Sequence, residues 1–61
     1  MNNQELRDLK ESLGIINYKI NYKTGVHLGV IENFFDRASD DIDSKDRAIL
    51  EALLAEEAKK H

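Results

Sequence analysis

A chain of 61 residues without cysteine is one small domain at most, and neither a disulfide nor a thiolate metal site can staple it. Charged residues make up 34% of it and the net charge is −3, a balance that suits a soluble protein and counts against non-specific nucleic-acid binding. The opening MNNQELRDLK holds no apolar signal segment, and no apolar run approaches the roughly 18 residues of a membrane span, so a cytoplasmic protein with no membrane partner is expected.

Proline is absent and the glycines fall at 14, 25 and 29, which leaves long uninterrupted stretches for helical periodicity. Asn2 is placed to cap a first helix, with Glu5 completing a capping box. Leu6, Leu9 and Leu13 share one face of that helix. Gly14 stands where a left-handed helix-ending residue belongs, and Ile15 is placed to fold back on the helix it leaves. A second short helix is expected at about 17–23. The near-alternation of Ile15, Ile16, Tyr18, Ile20 and Tyr22 suits a strand as well, but such a strand would have no partner in the chain. The sequence INYKINYK is too short for an architectural repeat.

A third helix at about 27–37 carries Val30, Ile31, Phe34 and Phe35 at helical spacing. After the polar SDDIDS, either Asp43 or Ser44 can cap a last helix at about 44–60, with Ile42 stapling its entry. Asp46 near its start and Lys59 and Lys60 near its end complement the helix dipole. Ile49, Leu50, Leu53 and Leu54 give it a broad apolar stripe. The expected fold is an all-α four-helix domain over residues 1–61. A domain of this size buries only about 60% of its unfolded surface, so its stability must come from helix packing, with self-association as a further source.

The stretch ELRDLKESLGI followed by INYKINYKTGV resembles the Cro/phage-repressor type of helix-turn-helix protein. In that family a helix of the pattern E-L-x-x-L-R-x-x-x-G-L precedes the motif. The first motif helix has an apolar residue matched here by Ile20. The turn has a glycine, here Gly25, followed by an apolar residue, here Val26. The second motif helix has two buried apolar residues, here Ile31 and Phe34. Glycine takes the left-handed turn at no steric cost, and the apolar positions lock two helices at a steep angle. The resemblance runs without gaps over about residues 5–37, through a short and degenerate motif.

Three departures stand out. Asn21 replaces the alanine usual where the two helices touch, and a buried amide costs about 1–3 kcal/mol unless it finds partners. Ile16 and His27 replace the usual Ser or Thr caps. Val26 to Asp36 contains no Lys or Arg.

What the resemblance implies is a sequence-specific regulator that binds an operator in double-stranded DNA as a homodimer. His27, Leu28, Gly29, Glu32 and Asn33 would then face the major groove. Asn33 could pair with adenine, Glu32 could accept from cytosine, and Leu28 could touch a thymine methyl. Asn17 would anchor the backbone, and Lys19 and Lys23, with Tyr18 and Tyr22, would add phosphate contacts. Each is also readable as an ordinary solvated side chain. For Glu32 that reading is preferred, because a carboxylate repels phosphate. Leu50, Leu53 and Leu54 on the last helix are the expected dimer surface, while Leu28 and Phe35 either complete the core or lie on a partner surface. The acidic balance, a reading helix without positive charge and the spare apolar residues support an alternative of another class: the same shape binding a protein, as an antirepressor or an inhibitor of a host factor does.

No enzymatic activity and no cofactor are expected. The acidic run Asp40, Asp41, Asp43, Asp46 lacks the glycine and ligand spacing of a calcium loop, and capping explains it better. Two distant histidines without cysteine form no recognisable metal site. Neither a nucleophilic triad nor a glycine-rich phosphate loop is present.

Overall fold

The computed structural model describes residues 1–60. Among them four helices follow in order, α1 Asn3–Leu13, α2 Asn17–Thr24, α3 Leu28–Phe35 and α4 Ser44–Lys59, with no strand. α4 packs on α1 and on α2, and α2 packs on α3. Helix rather than strand wins at 17–24 because Ile20 is the single residue of that segment that the core takes up, whereas a strand would have to bury alternate residues.

Local chemistry sets the ends of α1. The Asn2 side chain accepts from the Glu5 amide at 2.8 Å, and the Glu5 carboxylate accepts from the Asn2 amide at 2.8 Å. Gly14 ends the helix in the left-handed region at φ 69°, and Ile15 turns inward and is buried. Asp43 occupies the cap position of α4, but its side chain makes no capping hydrogen bond. That entry is tied instead through Arg47, which donates to the Asn3 side chain and the Met1 carbonyl and thereby fastens the start of α4 to the start of α1.

The core is formed by Leu6, Ile15, Ile20, Val26, Ile31, Phe34, Leu50 and Leu54, so every helix contributes. Leu9, Leu13, Val30, Phe35, Ile42, Ile49 and Leu53 pack around it half-buried. Phe35 therefore belongs to the core margin. It meets Phe34 edge-on at 4.9 Å and lies under the Lys10 ammonium. The expected dimer surface needs correction. Leu50 and Leu54 are 0% exposed within a single chain, and only Leu53 is left partly accessible. The apolar stripe of α4 is used up in covering α1 and α2.

α3 is also shorter than the expected 27–37. His27 is its cap and Asp36 closes it. The cause lies in α1. The Arg7 guanidinium, 11% exposed, takes the Phe34 carbonyl at 2.7 Å and the Ser39 carbonyl at 3.1 Å. It also pairs with Asp40 at 2.8 Å and lies 4.6 Å above the Phe34 ring. With Phe34 O engaged by a side chain, the chain leaves the helix. Ala38 sits in the left-handed region at φ 54°, and the Ser39 amide returns to the Asn33 carbonyl at 2.9 Å. That conformation costs alanine roughly 1–2 kcal/mol.

Among the described residues one carboxylate is buried. Glu57, 4% exposed, places one oxygen 2.9 Å from Lys19 of α2 and the other 3.0 Å from Lys60. The hydrogen bonds from these two ammonium groups outweigh burial and hold its carboxyl at about 2, below the usual 4.5.

Two outcomes follow from these contacts. Arg7→Ala strips charged hydrogen bonds from two half-buried carbonyls, so it should lower stability by about 2–3 kcal/mol and Tm by roughly 10–20 °C in thermal unfolding. For Glu57 the folded value lies below the unfolded one. The stability it contributes should be complete above about pH 4.5 and lost as pH falls through about 2. Urea titrations across that window should show a weaker pH dependence in Glu57→Gln than in the parent chain.

Candidate nucleic-acid interface

A four-residue repeat acquires meaning on a helix. Four residues advance about 400°, so equivalent residues of INYK and INYK fall within about 40° of each other and form stripes along α2. The asparagine stripe faces α3. Asn21 Nδ2 donates to the Val26 carbonyl at 2.7 Å, just before α3 begins, and Asn17 Nδ2 donates to the Asp36 carboxylate at 3.0 Å, just after it ends. The amide expected to burden the helix contact therefore has its partner and braces the turn. The Asn17 Oδ1 atom is buried without a partner.

Thr24 reinforces the same connection. Its hydroxyl donates to the Ile20 carbonyl at 2.7 Å and accepts from the Val26 amide at 3.1 Å. Gly25 between them adopts φ 75°, where a side chain would be strained although no neighbour would obstruct it. Val26 is then driven into the core. His27 caps α3 through Nδ1, which accepts from the Gly29 amide at 3.0 Å. A Cβ at Gly29 would stand 3.2 Å from that nitrogen, so glycine at this position lets the imidazole lie against the helix end.

The resulting outer face of α3 offers His27, Glu32 and Asn33 exposed, with Leu28, Gly29 and Val30 half-buried behind them. Glu32 is the one charge within α3, and Asp36 and Arg37 follow it. Asn33 Oδ1 accepts from Arg37 Nη1 at 2.5 Å. The solvent face of α2 is of another kind. Tyr18 and Tyr22, 70% and 88% exposed, form one stripe, and Lys19 and Lys23 form the next. α2 alone among the four helices contains no acid. Ile16, outside the helix and in extended conformation, breaks from the face of Ile20 and is exposed.

The residues expected to meet DNA thus lie on the outer face of α3 and on the solvent face of α2, and several are engaged within the chain. Asn17 is held by Asp36, Lys19 by Glu57 and Asn33 by Arg37, whereas Lys23 faces no carboxylate among the described residues. Arg7 and Glu57, the side chains that fix the geometry, do not emerge from the motif. Glu57 did leave a signal, since it falls three residues after Leu54 and seven after Leu50, on the buried stripe of α4. No group of side chains that could hold a metal occurs among the described residues, and no helix is long and apolar enough to cross a membrane. Neither a family model, nor a curated protein, nor a solved structure matches the chain.

The brace at the turn can be tested directly. Asn21→Ala introduces the better helix former, yet it leaves the Val26 carbonyl without its donor. We expect a loss of about 1–2 kcal/mol in urea unfolding rather than the gain that propensity alone would give.

Proposed function

We propose that the protein is a small sequence-specific DNA-binding regulator of the phage or mobile-element kind, with α2 and α3 as a helix-turn-helix and α3 as the helix laid in the major groove. The observation that carries this reading is the double asparagine clamp. Asn21 and Asn17 tie α2 to the two ends of α3 across the left-handed Gly25 and leave the outer face of α3 free. On that face Asn33 can present its amide to the N6 and N7 of an adenine once Arg37 releases it, and Arg37 is then at hand for a phosphate. Leu28 offers an apolar contact to a thymine methyl. Two copies on adjacent half-sites would double these contacts. Since Leu50 and Leu54 are enclosed, pairing through α4 would have to use Leu53 and the exposed side of that helix.

A second reading, a protein-binding module such as an antirepressor or an inhibitor of a host protein, is favoured by a specific observation. Asn17, Lys19 and Asn33 already have partners in the chain, and Glu32 is the one charge that α3 offers. Selection of bound duplexes from a random pool, followed by mobility shifts over a salt series, separates the two. Operator binding should weaken steeply with salt as counterions are released. Asn33→Ala should erase about 1–3 kcal/mol of preference at one base pair of the selected site. If no duplex is retained at low salt while a protein partner co-purifies, the second reading replaces the first.

A further inference from the structure

Resting on the DNA-binding reading above, we infer that the tyrosine–lysine face of α2 is where the chain meets a phosphate backbone, and that buried Glu57 withholds Lys19 from that contact, leaving Lys23 as its ionic anchor. The surface comes from the repeat. Its two tyrosines and two lysines are exposed in adjacent stripes, and the helix carries no acid. Charge complementarity selects the occupant. On a chain of net charge −3, an acid-free helix whose solvent face carries ammonium and hydroxyl donors and no anion suits a polyanion. Tyrosine hydroxyls and lysine ammonium groups are both regular phosphate donors.

The two lysines are not equivalent. Lys23 faces no carboxylate among the described residues. Lys19 sits 2.9 Å from Glu57 Oε1, while Lys60 serves Oε2 at 3.0 Å, so each oxygen of this enclosed carboxylate has its own lysine. Moving Lys19 to a phosphate would leave one oxygen of a buried anion unpaired, which is strongly unfavourable. Glu57 is therefore a positioning residue that sets how many cations α2 presents. It touches no DNA itself.

Salt dependence reads this number, because each phosphate neutralised on duplex DNA contributes about 0.9 to the slope of log affinity against log salt. The probe is a fluorescently labelled duplex of mixed sequence, titrated by anisotropy over a salt series with the full chain. K23Q should flatten the slope by about 0.9, and K19Q should leave it unchanged. Tyr22→Phe should weaken binding without changing the slope. E57Q should steepen the slope by about 0.9, and the K19Q/E57Q pair should cancel that gain. Circular dichroism checks that K19Q and E57Q fold, and the comparison of folded K19Q with K23Q decides the matter without E57Q. Equal flattening by K19Q and K23Q would overturn the withholding role of Glu57. An unchanged slope in K23Q, with the parent chain still binding, would overturn the surface while leaving the α3 reading intact. Failure of the parent chain to bind the duplex at any salt would overturn both.

Discussion

The Arg7 guanidinium gathers the carbonyls that the end of α3 leaves free, and the placement of everything after Phe34 depends on it. Helix C-termini always present acceptors without intrahelical donors, and a buried end must find other partners for them. Here one side chain from α1 supplies them for Phe34 and Ser39 while its charge is balanced by Asp40 and its guanidinium carbon lies 4.6 Å from the centre of the Phe34 ring. This combination shortens α3, offsets the strain at Ala38 and sends the chain toward α4. The ends of α3 are then fixed from two directions, by Arg7 of α1 and by the asparagines of α2.

What was legible in the sequence was local. The capping box at Asn2 and Glu5, the left-handed glycines 14 and 25, and the apolar residues at helical spacing each act over a few positions, so their patterns survive without knowledge of the fold. Arg7, Asn21 and Glu57 are different. Arg7 and Glu57 look like ordinary polar residues on a helix and Asn21 like an amide in need of a partner, and each acquires its role from a partner that folding supplies: Phe34 and Ser39 for Arg7, Val26 for Asn21, and Lys19 for Glu57. The stripe of α4 shows the other limit. Core and dimer interfaces share one apolar signature, and nothing in the spacing of Leu50 and Leu54 distinguishes a surface buried within a chain from one buried between chains.

The charges divide along the same lines. Arginines 7 and 47 serve as internal fasteners between helices, and their carboxylate partners Asp40 and Glu51 are held below the usual carboxylate range, Asp40 first by its hydrogen bond to Arg7 and Glu51 first by that to the terminal ammonium. Much of the positive charge is thereby consumed in holding the fold. The acidic net charge thus understates how basic one face can be: α2 carries lysines and no acid, whatever the rest of the chain carries.

The INYK repeat also limits its own length. Every unit of four rotates its stripes by about 40° relative to the last, because four residues overshoot one helical turn. Across two units this drift is small enough for both asparagines to reach α3 and for both tyrosines to stay in solvent. A third unit would carry the stripes about 80° from where they began. Its asparagine would roll away from the α3 side on which Asn17 and Asn21 lie. Gly25 ends the helix directly after the second unit and Thr24, before that further rotation is reached.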